Sequence, residues 1–275
     1  MTPTHKFPHG LLLVGCGRMG GALLQGCLAR GIVTADAVTV VEPAEAARAE
    51  AAALGVRAVA DVGDAGEAAP DMILVAVKPQ VIDAVMPGYA RYAGRSVFLS
   101  IAAGRTTASF ERLLGDGAAV VRAMPNTPAQ VGRGITALYA TGRVDAAGRD
   151  LAAALMGAVG DVVWLDDEAQ MDAVTAVSGS GPAYVFHLIE ALAAAARVQG
   201  LPDDLAERLA RATVTGAAEL AFQSSEAAGR LREQVTSPGG TTAAALEVLM
   251  GTGGLTDLMT RAVAAAAKRS KELAG

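Results

Sequence analysis

The sequence predicts a mostly parallel, doubly wound α/β sheet in its first part and an all-helical domain in its second. The first prediction rests on short apolar runs that alternate with helical patterns over the first 165 or so residues, as in βαβ units. The second rests on the loss of any strand pattern after Asp166-Asp167-Glu168. We therefore expect an α/β domain at residues 1–165 and a helical domain at residues 166–275.

In the first domain, each apolar run is predicted as a strand. The predicted strands are Leu11–Val14, Ala37–Val41, Val56–Val59, Met72–Val77, Val97–Ile101, Val120–Met124 and Ile135–Ala140. Met72–Val77 has no polar alternation, which favours a strand buried on both faces of a parallel sheet. Helices are predicted at Met19–Ala29 and Ala44–Leu54, because Gly31 and Gly55 follow them as stop signals.

In the second domain, only helical patterns occur. The predicted helices are Pro182–Gln199, a helix opened by Pro202, Glu226–Val235, Thr242–Met250 and Leu255–Leu273. Gly200 is the stop of the first of these helices. In the second helix, Leu205, Leu209, Thr213, Gly216 and Leu220 recur at intervals of three and four, the spacing of one helix face.

The composition fits a globular protein and excludes several other classes. Hydrophobic residues make up 52% of the chain and charged residues 19%, which is too apolar for intrinsic disorder. The net charge is −5 and no long basic run occurs, so we expect no nucleic-acid partner. The longest stretch without a charged residue, 173–189, is shorter than the roughly 20 residues of a membrane helix. Two cysteines cannot form a disulfide framework or a zinc cluster, and we expect a cytoplasmic protein without a metal.

A glycine-rich motif lies where the first strand gives way to the first helix. The motif consists of Gly15, Cys16, Gly17, Arg18, Met19 and Gly20. It fits G-x-G-x-x-G in the strand-then-helix context of a Rossmann dinucleotide site. We expect Gly15 to permit the tight turn, Gly17 to let the backbone approach a pyrophosphate and Gly20 to let helix and strand pack closely. The helix start would face the anion, and the alternative is a glycine turn without a ligand.

Glu42 ends the second predicted strand, 22 residues after Gly20. An acidic residue about this far along hydrogen-bonds the ribose 2′-hydroxyl in many Rossmann sites. Because a carboxylate repels a 2′-phosphate, Glu42 favours NADH over NADPH as the cofactor. The alternatives are a solvated charge at a strand end, or a phosphate site that uses nearby Arg48.

Two further segments follow predicted strands and are candidates for contact with the cofactor. Val77-Lys78-Pro79 closes the fourth strand, and Met124-Pro125-Asn126-Thr127-Pro128 follows a later strand. Ligands of open α/β sheets bind beyond the carboxyl ends of the strands, so Lys78 is placed to face the cofactor. Asn126 has an amide that can pair with the carboxamide of a nicotinamide. Ordinary loop chemistry explains both segments equally well.

The helical domain contains two unusual strings. Ser178-Gly179-Ser180-Gly181-Pro182 separates two helices, and no strand precedes it as a nucleophile elbow would require. Ser237-Pro238-Gly239-Gly240-Thr241-Thr242 leads into another helix. Hydroxyls and free N–H groups at a helix start suit a substrate carboxylate, and the alternative is a structural N-cap.

Taken together, these motifs resemble the pyrroline-5-carboxylate reductase family. The matching segments, in chain order, are Gly15–Gly20, Ala76–Pro79, Met124–Pro128, Asp172–Tyr184 and Val235–Thr242. The resemblance runs from Leu11 to about Leu273 and implies reduction of 1-pyrroline-5-carboxylate to L-proline with NAD(P)H. It also implies a Rossmann domain and a helical domain that intertwines with a partner subunit. The active site would then form between the cofactor domain of one subunit and the Ser237–Thr242 loop of the other.

The resemblance also implies roles for individual residues. The motif at 15–20 would hold the pyrophosphate, Lys78 and Pro79 after Val77 would lie near the nicotinamide ribose, and Asn126 would lie near the nicotinamide. The substrate carboxylate would be bound by Ser237 and by the backbone of Gly239, Gly240, Thr241 and Thr242. Thr242 would also hydrogen-bond the ring nitrogen and is therefore the candidate catalytic residue.

Two departures from the family pattern and two alternative functions remain. Ala227-Ala228 replaces a common His-Pro pair, and Glu42 replaces a small polar residue, so an NADPH preference need not transfer.

The first alternative function is that of another two-domain Rossmann reductase such as a 3-hydroxyacid dehydrogenase, which normally has a lysine in the helical domain. No lysine occurs between Lys78 and Lys268, which counts against it. The second alternative is a non-catalytic, dimeric nucleotide-binding protein.

Overall fold

The computed structural model of the protein describes residues 7–274. The strands are β1 (Leu11–Val14), β2 (Val38–Val41), β3 (Arg57–Val59), β4 (Met72–Val75), β5 (Val97–Ser100), β6 (Ala119–Met124), β7 (Gly134–Ala140) and β8 (Gly160–Trp164). The helices are α1 (Arg18–Ala29), α2 (Glu45–Ala53), α3 (Ile82–Val85), α4 (Thr107–Leu114), α5 (Ala146–Gly157), α6 (Met171–Val174), α7 (Gly181–Val198), α8 (Asp203–Gln223), α9 (Ala228–Gln234), α10 (Thr241–Met250) and α11 (Leu255–Ala274). Short 3₁₀ turns connect several of them.

The eight strands within residues 7–274 form one sheet with the order β3-β2-β1-β4-β5-β6-β7-β8. Strands β1 to β6 are parallel, β7 pairs antiparallel with β6, and β8 runs parallel to β7. The predicted fold class, a mostly parallel α/β sheet before a helical region, is therefore confirmed. Chain order reverses between β1 and β4, and in sheets of this kind the ligand binds at that switch point.

The central strands of the sheet contribute to two apolar layers, because neighbouring side chains point to opposite faces. Leu11 and Leu13 belong to one cluster of buried residues, while Leu12 and Val14 belong to the other. The first cluster includes Leu23, Leu24, Cys27, Leu155 and Met156 from α1 and α5. The second includes Ile82, Met86, Tyr89, Tyr92 and Phe110 from the other face. The four residues of β4 are all buried, as expected for a strand covered on both faces.

The main differences from the predicted elements lie at the end of the sheet. The sequence patterns did not identify β8, which contains Asp161 and begins at a glycine. The antiparallel direction of β7 follows from its connection: only residues 125–133 join β6 to β7, and a parallel neighbour needs a crossover of about a dozen residues or more. The fourth strand ends at Val75, two residues before its predicted end.

The described chain forms two compact units, residues 7–179 with 267–274 and residues 180–266. The predicted domain boundary near residue 165 stays a prediction, since it marks a change of sequence pattern and not of compactness. In the second unit, α7 packs against α8, and the residues buried along these two helices are Ala193, Ala206 and Ala210. Among residues 7–274, no helix combines the length and apolar character needed to cross a bilayer.

Candidate active site

The glycine motif forms the turn between β1 and α1, and its three glycines meet different surroundings. Gly15 has a φ of +87°, and a Cβ there would lie 2.8 Å from Cγ1 of Val77. A Cβ on Gly20 would lie 2.5 Å from the carbonyl oxygen of Gly15, so the helix packs tightly on the turn. A Cβ on Gly17 would meet nothing within 4 Å. The turn thus has the shape of a pyrophosphate cradle: two glycines are needed for its packing, and the third leaves an open approach.

The start of α1 supplies donors to this open space. Gly17 is the N-cap residue of α1 and has no side chain that could cap the helix. The first N–H groups of a helix have no intrahelical acceptor, so those of α1 are left without a side-chain partner from the N-cap. Arg18 is exposed and opens the helix, while Met19 is half-buried behind it. A cavity of about 810 Å³ adjoins Cys16, Gly17 and Arg18 and extends along α1. Glu42, Lys78 and Asn126 do not line this cavity, so it covers only the α1 side of the predicted site.

The side chain of Glu42 is hydrogen-bonded to the glycine motif. Its Oε2 accepts a hydrogen bond from the N–H of Cys16 at 2.8 Å, and its Oε1 accepts one from the N–H of Ala44 at 2.9 Å. The structure therefore places this carboxylate beside the turn that would hold the dinucleotide. Burial, followed by the charges of Glu42 and Glu50, raises the pKa of the Cys16 thiol, which therefore stays protonated at neutral pH.

The segment after β4 lies against the same turn. Ala76 donates its N–H to the carbonyl oxygen of Val14, which continues the pairing of β4 with β1 for one residue. Val77 packs on Gly15, as described above, and Pro79 begins a short 3₁₀ turn with Lys78 as its N-cap residue. Lys78 is exposed at this end of the sheet.

Asn126 follows β6 at the carboxyl edge of the sheet and is 9% exposed. Its Oδ1 accepts a hydrogen bond from the N–H of Ile135 at 3.0 Å, which fixes the orientation of the amide. Its Nδ2 group makes no hydrogen bond to any of residues 7–274 that the structure records. An amide held in this way presents donors to a ligand carbonyl, as the prediction for a nicotinamide carboxamide requires.

A partly buried ionic group, which the sequence patterns did not predict, lies next to these strands. Glu168 accepts hydrogen bonds from Nη1 of Arg122 at 2.9 Å, from the N–H of Thr107 at 2.9 Å and from Oγ1 of Thr107 at 2.7 Å. Arg122 lies in β6, and its side chain is 8% exposed. The group ties the chain that follows β8 to the strand that carries Asn126. The sequence offers no spacing signal for it, because its members are far apart in the chain.

The string around Ser178 is a π-helical turn, not the simple break between helices that we expected. Residues Thr175–Gly179 continue α6 with π geometry, and α7 begins at Gly181. Gly179 approaches Met124, the last residue of β6, so closely that a Cβ there would lie 2.4 Å from the methionine Cε. Single π turns in α-helices occur often at functional sites.

The Ser237–Thr242 string lies in the second unit and leads into α10. Gly240 donates its N–H to the carbonyl oxygen of Ser237 at 3.0 Å, and Gly239 has a φ of +66°, so Pro238 and Gly239 fit the central positions of a type II turn. Gly240 is then the N-cap residue of α10, without a side-chain cap bond.

This turn leaves a set of polar groups at the start of α10. The hydroxyls of Ser237, Thr241 and Thr242 take part in no hydrogen bond that the structure records among its described residues, so a hydroxyl N-cap does not explain the string. The N–H of Gly240 is engaged in the turn, and the N–H groups of Thr241 and Thr242 have no intrahelical acceptor. The arrangement can bind an anion such as a carboxylate.

The sheet topology, the glycine turn and the carboxylate at the end of β2 define a dinucleotide-binding α/β protein. Residues 10–104 match the model of a family described as NADP oxidoreductase coenzyme F420-dependent. Residues 168–273 match the model described as pyrroline-5-carboxylate reductase dimerisation. A pyrroline-5-carboxylate reductase of Pseudomonas aeruginosa is 41% identical over 265 residues, which covers 96% of each chain. The chain belongs to the pyrroline-5-carboxylate reductase family and is an NAD(P)-dependent oxidoreductase that acts on an imine.

Solved structures agree with this assignment. A pyrroline-5-carboxylate reductase of Coxiella burnetii has a TM-score of 0.91 at 37% identity and covers 97% of this chain and 99% of its own. A pyrroline carboxylate reductase of Plasmodium falciparum, solved with NADP bound, has a TM-score of 0.81 at 27% identity and covers 98% of this chain and 99% of its own. The family, inferred first from five short motifs, is therefore confirmed.

Proposed function

We propose that the protein reduces 1-pyrroline-5-carboxylate to L-proline, the last step of proline biosynthesis, through a site built from the residues described above. The observation that carries this proposal is the turn at Ser237–Thr242, which frees three hydroxyls and the first N–H groups of α10. A substrate carboxylate at Ser237 and the N–H groups of Thr241 and Thr242 would leave the Thr242 hydroxyl for the ring nitrogen.

The reaction needs no nucleophile from the protein, because a cyclic imine is already electrophilic. The nicotinamide supplies the hydride when it is bound. The chain's own contribution is to hold the imine carbon close to the hydride donor and to stabilise the developing amine with an aimed hydrogen bond. Gly15, Gly17 and Gly20 would hold the pyrophosphate, while Lys78 and its neighbours Val77 and Pro79 would flank the ribose. Asn126 would orient the nicotinamide through its Nδ2 donors.

We further propose that the site forms between two copies of the chain, with the cofactor unit of one protomer facing the Ser237–Thr242 loop of its partner. Large apolar side chains of the second unit support this, since Phe186 is 61% and Leu220 58% exposed in the single chain. Monomeric proteins rarely expose a large patch of apolar side chains to water. A cytoplasmic location is part of the proposal, because the reaction draws on the cellular NAD(P)H pool.

The role of Thr242 is tested by Thr242→Ala and Thr242→Ser, measured by steady-state kinetics with 1-pyrroline-5-carboxylate. We expect Thr242→Ala to lose on the order of 10²-fold in kcat, as for other aimed polar groups, while the Kd for the dinucleotide is unchanged. Thr242→Ser keeps the hydroxyl and is expected to retain most of the activity. An unchanged kcat in Thr242→Ala would rule out the role.

A panel of substrates separates this function from its alternatives. Oxidation of NADH or NADPH is followed with 1-pyrroline-5-carboxylate and with a set of 3-oxoacids. Turnover of the oxoacids alone would favour a 3-hydroxyacid dehydrogenase. Binding of the dinucleotide without turnover of any substrate would favour a non-catalytic protein.

A further inference from the structure

We infer that Glu42 makes this enzyme selective for NADH over NADPH, and that its carboxylate is held in place for this purpose before the cofactor arrives. The inference deepens the proposed function, since it concerns the adenosine end of the same dinucleotide site. Family membership leaves the choice open: the Plasmodium falciparum relative was solved with NADP bound, at 27% identity.

The first step of the argument is the fixed position of the carboxylate. The N–H of Cys16 donates to Oε2 at 2.8 Å and the N–H of Ala44 donates to Oε1 at 2.9 Å, so each carboxylate oxygen is tied to a different backbone segment. One segment is the glycine turn and the other is the approach to α2. A carboxylate oxygen accepts more than one hydrogen bond, so each oxygen can still accept a hydroxyl.

The second step concerns what such a carboxylate can recognise. The ribose of NADH presents hydroxyl donors, which a carboxylate accepts as strong, charge-assisted hydrogen bonds. The 2′-phosphate of NADPH offers acceptors in place of a donor and carries a charge of about −1.5 to −2 at neutral pH, as phosphate monoesters do. At a separation of about 4 Å, two like charges repel strongly even at the surface of a protein. Because the carboxylate is held by two backbone donors, it is poorly able to move away.

The third step is the position of Arg48, the arginine that the sequence offers as a ligand for a 2′-phosphate. Its Nη1 donates to the carbonyl oxygen of Glu42 at 3.0 Å and to that of Pro43 at 2.9 Å. This nitrogen is therefore used to hold the backbone beside Glu42. Arg18 is the other arginine at this turn, and it opens α1, where the pyrophosphate would lie.

The last step is the acidic character of the surroundings. Glu50 lies on α2, the helix that follows Glu42. Burial raises the pKa of the Cys16 thiol, and the negative charges of Glu42 and Glu50 raise it further. The edge of the turn therefore carries negative charge from more than one residue, which disfavours a second phosphate.

The first test is calorimetric titration of the wild-type protein with NADH and NADPH, without substrate. A second pair of probes, 5′-AMP and adenosine 2′,5′-bisphosphate, isolates the effect of the 2′-phosphate from that of the nicotinamide. We expect NADH to bind at least about tenfold more tightly than NADPH, and the two fragments to show the same order. Equal or tighter binding of NADPH by the wild type would overturn the inference, whatever any variant does.

The second test compares Glu42→Gln with Glu45→Gln, which removes the same charge from an exposed neighbour. Glutamine keeps one carbonyl oxygen for a backbone donor, and thermal melting checks that the variant folds. We expect the ratio of the Kd values for NADPH and NADH to fall by about tenfold in Glu42→Gln and to change by less than about twofold in Glu45→Gln. A ratio that is unchanged in a folded Glu42→Gln would contradict the assignment to Glu42.

The two proposals fail in different ways. If neither dinucleotide binds the wild-type protein, the proposed reductase function fails, and this inference fails with it. If NADPH binds more tightly and supports reduction of 1-pyrroline-5-carboxylate, only the selectivity assigned to Glu42 is wrong.

Discussion

The two units of the chain bury opposite kinds of side chain. In the first unit, large residues such as Phe98, Leu74 and Tyr89 are at most 2% exposed, and each face of the sheet is covered. In the second unit, the residues buried along α7 and α8 are alanines, while Leu205 and Leu209 are 41% and 46% exposed. The first unit has a core of its own, whereas the second presents its larger apolar side chains outward.

This difference shows what each unit needs in order to be stable. A buried side chain of the size of leucine contributes about 1.5–3 kcal/mol relative to an exposed one, and alanine contributes much less. Within a single chain, the helical unit leaves most of its large apolar side chains exposed. It therefore gains little of the free energy that their burial would contribute. The family's dimerisation region covers residues 168–273, so a second copy is the natural source of the missing burial.

The largest expected effect compares one substitution in the two units, Phe98→Ala and Phe186→Ala. Phe98 is fully buried in β5, and its truncation should cost about 3–5 kcal/mol in the free energy of unfolding. Phe186 is 61% exposed in the single chain, so its truncation should cost less than about 1 kcal/mol in dilute protein. Chemical denaturation at several protein concentrations measures both values.

Concentration is the control in this experiment. The cost of Phe98→Ala should be the same at every concentration, since its cavity lies within one chain. The cost of Phe186→Ala should grow as the protein associates. Equal costs for the two variants in dilute protein would show that the helical unit has a core of its own after all.

A smaller effect is expected for Leu188→Glu, which should prevent association of the chains while the first unit stays folded. Val185, Leu188 and Leu192 form one exposed stripe of α7, and a carboxylate in the middle of a buried interface is costly. We expect the dissociation constant of the oligomer to rise by about 10²-fold, measured by analytical ultracentrifugation. Reductase activity should fall with it if the site is shared between protomers.

Leu54→Glu is the matched control for this variant. Leu54 follows α2 in the first unit and is 36% exposed. A new charge there should leave the oligomer intact. Dissociation by both variants would mean that the effect is not specific to the stripe on α7.

The sequence predicted most of the sheet because its strands are simple apolar runs of the right length. The direction of β7 and the existence of β8 were not predicted, since both depend on how the short connection after Met124 folds back. The stripe of Leu205, Leu209 and Leu220 shows a different limit. Its period correctly indicates one apolar face, but the pattern cannot tell whether that face meets the same chain or another copy.

The candidate site shows the same division between local and tertiary information. The glycine motif could be predicted because the backbone itself requires glycine at Gly15 and Gly20, as the contacts of their missing side chains show. The two bonds that hold Glu42 and the contact between Gly179 and Met124 could not be predicted. Each joins residues that only the folded chain brings together.

The smallest expected effect uses the two cysteines, both in the first unit, to report whether that unit depends on the second. Cys27 is 1% exposed, its Sγ donates to the carbonyl oxygen of Leu155, and burial raises the pKa of its thiol to about 12. The raised pKa keeps this group protonated at pH 8, so a thiol reagent should label it only when the core opens. Cys16 is half-buried at the glycine turn and should be labelled first, more slowly in the presence of a bound dinucleotide.

In Leu188→Glu, the labelling rate of Cys27 should match that of the wild type within about twofold, because its burial arises from β1, α1 and α5 within one chain. Mass spectrometry of the labelled protein resolves the two sites. Phe98→Ala provides the positive control, since a cavity in the sheet should raise the rate of opening. Rapid labelling of Cys27 in Leu188→Glu would mean that the first unit also relies on association, and the contrast between the two units would then be one of degree.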